Sequence, residues 1–259
     1  MPHFLQSRIV RTALAGSIAW MVFAAYASAT QHSAKPTGTI SVKQILDKYL
    51  DAIGGIENLR AARTLRVSGT FSAAGTHPIG DFHFLYKAPS SDLFEFDAIS
   101  HGESGVGRRD GTPFFKKSPT AAVIFNGVSA GAMEQVWRCF LDSDLASYQD
   151  VQLAGLAEIN RKWAYALRFV PKSGDPQLRY YDSVSFLLTR LETVENFRTE
   201  KNGPPKAYII DTDFEDYQTA DNLHLPRQFT SSNGKNSLQF QVESVRINVL
   251  IDDSQFSGN

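Results

Sequence analysis

Hydrophobic residues recur every three to four positions before residue 64 and every second position after it. In "SVKQILDKYLDAIGG" (41–55), Val42, Ile45, Leu46, Tyr49, Leu50 and Ile53 fall at helical spacing. Ser41 suits the N-cap with Gln44 as its reciprocal partner, and Gly54-Gly55 supplies a left-handed stop. "IENLRAA" (56–62) reads as a second short helix. The alternation then predicts strands at "TLRVSGTF" (64–71), "GDFHFLYKA" (80–88) and "SDLFEFDAIS" (91–100). Phe82, Phe84 and Tyr86 share one face, and Phe94, Phe96 and Ala98 share one on the next strand. "ESGVGRRDGTPFFKKSP" (103–119) predicts two short strands around Asp110-Gly111. "SAGAMEQVWRCFLDSDLASY" (129–148) breaks the alternation, because Met133, Val136, Trp137, Phe140 and Leu141 are spaced for a helix.

Alternation resumes over 151–159, 162–171, 177–183, 185–198, 206–217, 225–232 and 237–251. Turn signals at Ser173-Gly174-Asp175, Asn202-Gly203-Pro204-Pro205 and Asn233-Gly234-Lys235 separate several of these segments. Strands joined by short turns form an antiparallel meander of about ten strands. The expected class is α+β, mainly β. It is a single curved antiparallel sheet, an open half-barrel, with an N-terminal helix and an inserted helical segment covering the concave face. A two-sheet sandwich is the alternative.

The first residues change the picture of where the protein works. Arg8 and Arg11 precede the mostly apolar "TALAGSIAWMVFAAYA" (12–27), and Ala27-Ser28-Ala29 fits the small-x-small rule for signal cleavage. Gly16 and Ser17 interrupt the apolar stretch, which is shorter than the ~20 residues a bilayer core needs. The expected organisation is a signal peptide at 1–29, a flexible polar leader at 30–40 and one domain at 41–259, in a periplasmic or secreted protein. The chain has 26 Lys and Arg against 27 Asp and Glu, a net charge of −1; loss of Arg8 and Arg11 with the signal makes it −3. A mildly acidic chain without a basic run is poorly suited to nucleic acid. Cys139 is the one cysteine, so no internal disulfide forms and the core must hold the fold.

Catalytic signatures are sparse. The chain contains no G-x-S-x-G, H-E-x-x-H, G-x-x-x-x-G-K or C-x-x-C. "GESGVG" (102–107) lacks the strand-then-helix context of a phosphate loop. His3, His32, His77, His83, His101 and His224 lie in separate segments, and no metal site or cofactor is expected. Cys139, beside Trp137 and Phe140, reads as a small buried hydrophobe rather than a nucleophile. Asp211, Asp213 and Glu215 would share one strand face, read as the solvated side of an outer strand; catalytic carboxylates are the alternative. Asp252-Asp253 come where the last apolar alternation (Val245, Ile247, Val249, Ile251) stops, so they read as a strand end, with Phe256 folding back against the sheet.

The aromatic complement is large: 18 Phe, 9 Tyr and 3 Trp. A curved sheet under one or two helices has more apolar area than they fill, and the remainder is a cavity of the kind that holds an acyl chain. Each buried methylene of such a chain contributes ~0.8 kcal/mol. The candidate lining residues are Phe82, Phe84, Tyr86, Phe94 and Phe96, with helix 42–53 and segment 129–141 as the lid.

Four stretches in this order resemble the LolA/LolB-like periplasmic lipoprotein-carrier superfamily, more closely its outer-membrane-lipoprotein-sorting-like branch. They are "ILDKYLDAIGG" (45–55), "VQLAGLAEINRKWAYALRFVPKSGDPQLRYYDSVSFLLTR" (151–190), "FEDYQTADNLHLPRQF" (214–229) and "VESVRINVLIDDSQF" (242–256). Asp221-Asn222 stands where that family has Asp-Gly, Leu250 where it has Pro, and Phe114-Phe115 near where it has Trp. The resemblance implies an open half-barrel with a helical lid and a cavity for lipid or lipoprotein acyl chains. The expected function is a non-enzymatic exported carrier, with membrane-surface or envelope proteins as further partners. A filled-core scaffold module is the alternative, and a hydrolase using strand carboxylates the third reading.

Overall fold

The computed structural model describes residues 35–73, 75–98, 102–116, 123–125, 128–142, 145–172, 174–197 and 206–258. The signal segment 1–29, leader residues 30–34, Ser173, the turn 202–205 and His3, His32 and His101 lie outside them.

The helix expected from the first apolar pattern is α1 (Val42–Ala52). Its capping box is complete: the Gln44 backbone N–H donates to Ser41 Oγ at 3.2 Å, and the Ser41 N–H donates to Gln44 Oε1 at 2.9 Å. Gly54 ends it at φ +115°, and a Cβ there would lie 2.1 Å from the Asn222 carbonyl oxygen, so only glycine permits this approach. A short α2 (Ile56–Ala61) follows.

Five strands come next: β1 (Thr64–Ala73), β2 (Gly80–Lys87), β3 (Ser91–Ala98), β4 (Gly102–Arg109) and β5 (Thr112–Lys116). A small hairpin of β6 (Val123–Phe125) and β7 (Val128–Ser129), absent from the sequence expectation, leads into α3 (Ala130–Leu141). The second run is β8 (Tyr148–Ile159), β9 (Lys162–Pro171), β10 (Gln177–Asp182), β11 (Leu188–Phe197), β12 (Lys206–Ala220), β13 (Leu223–Ser232) and β14 (Ser237–Ile247). Twelve strands, rather than about ten, form a single antiparallel sheet in the order β5-β4-β3-β2-β1-β14-β13-β12-β11-β10-β9-β8. Two meanders, β1–β5 and β8–β14, are thus sewn together where β1 pairs with β14. The sheet is open, with β5 at one edge and β8 at the other, and the connection between these edges carries α3.

That helix lies on the inner face. Trp137 stacks on Phe84 with ring centroids 5.9 Å apart, and Phe140 meets Phe214 edge-on at 5.0 Å. Phe82 stands opposite Phe96, and Phe84 opposite Phe94, in the β2–β3 ladder. Phe229 and Phe240 stack face to face at 4.6 Å in the middle of the sheet.

Two strand ends differ from the alternation. β11 starts at Leu188 rather than at residue 185, because Asp182 Oδ1 accepts the Val184 and Ser185 N–H groups and Phe186 takes φ +60°. β14 stops at Ile247 rather than at 251, because Asn248 turns at φ +56° and its Oδ1 accepts the Arg63 N–H at 2.8 Å. Ile251 therefore lies beyond the strand, and with Phe256 it packs on Leu85 and Leu93, on the outer face. Asp252 caps a one-turn 3-10 helix (Asp253–Gln255) by accepting the Ser254 N–H at 2.8 Å, and Asp253 pairs with Lys87. The acid pair is a strand-to-tail clasp, with Phe256 buried beneath it.

Candidate functional site

Of the five candidate lining residues, Phe82, Phe84, Phe94 and Phe96 are buried in the inner core against one another, Trp137 and Phe240. Tyr86, half-buried at the far end of the same stripe, borders a cleft of about 540 Å³. This volume is in the usual range of small-molecule sites. One side of the cleft is formed by Tyr86, Asp92 and Arg108 of β2–β4, and the other by Tyr148, Gln177 and Arg179 of β8 and β10. Gln135, Arg138, Cys139 and Leu141 of α3 lie between them. The cleft thus opens where the two ends of the sheet face each other across the helix.

Its first wall is held by a buried carboxyl pair. Asp92 and Glu134 are 2% and 4% exposed. Burial pushes both carboxyls above their usual range, and Asp92 pushes Glu134 further. Two arginines bridge the pair. Arg108 Nη2 lies 3.3 Å from Glu134 Oε1, Arg138 Nε lies 3.4 Å from Asp92 Oδ2, and Arg138 Nη1 lies 3.3 Å from Glu134 Oε1. Two like carboxyls this close do not both ionise readily, so the pair carries less than its formal charge. Asp92 Oδ1 is buried without a hydrogen-bond partner among the described residues.

The second wall is built on Arg179, also buried. Its guanidinium lies over the Phe169 ring at 4.1 Å, and its Nη2 donates to Tyr148 Oη at 2.5 Å and to Gln177 Oε1 at 3.1 Å. Tyr148 in turn donates to Asp142. Burial raises the Tyr148 phenol well above its usual value and pushes the Cys139 thiol up to about 12. A thiol so shifted is protonated at neutral pH and is a poor nucleophile. Lys172 lies at the exposed mouth.

The other candidates fall elsewhere. Asp211 and Asp213 face Arg190 on β11, whose Nη2 donates to Asp213 Oδ2 at 2.8 Å and whose Nη1 lies 3.8 Å from Asp211. They form a cross-strand ion pair rather than a cleft dyad. Glu215, which the alternation puts on their face, is exposed and pairs in the ladder with Gln228. The Gly-rich "GESGVG" is strand β4, and a Cβ on Gly107 would come 2.2 Å from the Asp92 carbonyl oxygen. His83 is exposed on β2, and His224 contacts Thr219 at 3.4 Å. Among the described residues no three His, Cys, Asp or Glu side chains converge as metal ligands.

Sequence reasoning missed Asp92, Arg108, Glu134 and Arg179, although a signal was present. Asp92 shares its strand face with Phe94 and Phe96, Arg179 shares one with Tyr181, and Glu134 lies beside Met133 on the helix. A charge inside an apolar stripe marks a buried ionic site more sharply than the apolar stripe does.

No protein-family model matches the chain, and no curated protein sequence matches it. Solved structures do. A DUF1329 family protein from Desulfovibrio piger covers 85% of this chain over 98% of its own, at 13% identity and a TM-score of 0.53. A LolA superfamily protein from Nitrosomonas europaea does so over the same shares, at 11% identity and a TM-score of 0.53. The chain has the LolA-like fold. At these identities the likeness is one of fold alone, and the cleft is described from this chain's own residues. Among the described residues, no helix of this LolA-like domain is long and apolar enough to cross a membrane.

Proposed function

We propose that the protein is an exported, non-enzymatic carrier that holds an acyl chain of a lipid or lipoprotein between sheet and helices. The observation that supports this reading best is the open sheet with α3 on its inner face, beside a cleft of about 540 Å³. Tyr86 and Leu141 give the cleft apolar surface, and the fully buried Phe84 and Phe94 lie behind it, with Trp137 stacked on Phe84. An acyl chain entering there replaces contacts of α3 with contacts of its own, so α3 acts as the lid and Phe82, Phe84, Phe94 and Phe96 as the wall behind it. The drive is apolar burial, at ~0.8 kcal/mol per methylene. A protonated Cys139 and the Arg190 clamp on Asp211 and Asp213 favour binding over hydrolysis. The expected compartment is the periplasm or the exterior, from the signal-like residues 1–29.

The aromatic packing of the inner face favours a second reading, an envelope interaction module whose core is already filled. Titration with acyl chains brominated at mid-chain separates the two, since Trp137 is fully buried against the proposed wall. In a Trp163→Phe variant, saturable quenching of Trp137 is expected for the carrier. Unquenched Trp137 at saturating lipid would leave the scaffold reading.

A further inference from the structure

The cleft is charged as well as apolar, and its charge is uneven. Arg108, Arg138, Lys172 and Arg179 line it, against Asp92, Asp142 and Asp175. Asp92 belongs to the buried pair with Glu134, where ionisation of one acid opposes ionisation of the other. Asp142 is covered by Tyr148 and the Arg179 ion pair at 3.6 Å, and the exposed Asp175, which accepts a hydrogen bond from Asn196 at 3.3 Å, is the one lining acid set against the two exposed cations. The exposed cationic ends are those of Arg138, 41% exposed, and Lys172 at the mouth. A chain with net charge −1 thus places cations at the entrance of this cleft, beside the apolar surface of Tyr86 and Leu141.

We infer that the cleft is a head-group site for an anionic amphipath, with Arg138 and Lys172 receiving a lipid phosphate at the mouth while the acyl chain runs inward past Tyr86 and Leu141. This rests on the carrier reading and adds a selectivity to it. Two features support the assignment. Arg138 is pre-set by Asp92 and Glu134, so little side-chain freedom is lost when its remaining N–H groups meet a phosphate. Lys172 is exposed and lines the same cleft as Tyr86 and Leu141, so one amphipath can meet a cation and apolar surface together. A neutral amphipath satisfies the apolar part only.

The test uses the full mature chain and short-chain phosphatidylglycerol, monoacylglycerol of equal chain length, and inorganic phosphate, each titrated by calorimetry at low and high salt. Phosphatidylglycerol is expected to bind about tenfold more tightly than monoacylglycerol, with the difference shrinking as salt screens it. Lys172→Gln, at an exposed position, removes a cation without touching the core, and with Arg138→Gln it is expected to erase most of that preference. Arg138→Lys should keep part of it. If a variant melts early, Lys172→Gln alone carries the comparison. Equal affinity for both lipids, or a preference that survives Lys172→Gln and Arg138→Gln together, overturns the head-group site and leaves the carrier reading standing. Binding of inorganic phosphate as tight as that of phosphatidylglycerol overturns the amphipath. Absence of binding by either lipid overturns the carrier reading as well.

Discussion

Strands β3 and β8 belong to one sheet, yet only one of them is enclosed. In β3, six of eight residues are buried, Phe94 and Phe96 against the inner core and Leu93 against the tail that crosses the outer face. In β8, an edge strand of twelve residues, only Ile159 is buried, and Leu153 and Leu156 are exposed. The cover differs in kind: β3 and β4 have α3 inside, and Phe256 with Ile251 packs outside β2 and β3, whereas the second meander has α1 inside, with Tyr49 edge-on to Tyr181 at 5.0 Å. The second meander meets α3 through rings, Phe140 against Phe214 and Tyr217 and Trp137 against Phe229, and nearer the edge through polar groups, Gln135 to Glu195 and Gln177 to Gln135. The contrast is one of faces: β3 is covered on both, and β8 is left open along most of its length.

The most damaging change to the enclosed half is Trp137→Ala, which removes the ring stacked on Phe84 and edge-on to Phe229. It is expected to cost ~3–5 kcal/mol, a fall of roughly 10 °C in Tm by calorimetry. Next is Phe256→Ala, at ~3 kcal/mol; chemical denaturation should show it destabilised, whereas Leu153→Ser on β8 should stay within ~0.5 kcal/mol of the parent. Gly107→Ala drives a Cβ into the Asp92 carbonyl oxygen and is expected to cost ~1–3 kcal/mol; intact secondary structure with a lowered denaturant midpoint would be its signature.

The carboxyl pair gives a pH-dependent version of the same contrast. Both native acids sit above their usual values, so the folded chain holds protons that the unfolded chain has released. The pair's contribution to stability is complete below the unfolded carboxylate range and is lost as pH rises through the raised native values. Melts at about pH 5 and about pH 8 should therefore differ more for the parent than for Glu134→Gln. The smallest effect is expected for Asp252→Asn. Its carboxylate is held below the usual range by the Ser254 hydrogen bonds and lies fully in solvent, so Tm and lipid affinity should not move measurably.

Much of the architecture was legible because local rules agreed with the fold. Alternation placed β2, β3 and β9, and the Ser41–Gln44 box and Gly54 bounded α1. Errors came where one polar side chain replaced a ladder bond: Asp182 delayed β11, and Asn248 ended β14 before its apolar pattern ended. The β1–β14 seam was not legible, since the pairing of distant segments leaves no local pattern. The cleft was hidden for a related reason. Alternation assigns a residue to a face, but Asp92, Glu134, Arg138 and Arg179 come from three elements distant in sequence, and only the packing of α3 brings them around one space.

Native mass spectrometry of the mature protein, purified from the cell envelope without detergent and followed by lipid extraction, tests the carrier most directly. The expected spectrum shows protein carrying one lipid, which is lost on collisional heating and recovered in the extract. Bare protein from a preparation that retains its fold, with no lipid extracted and none taken up on addition, would contradict it.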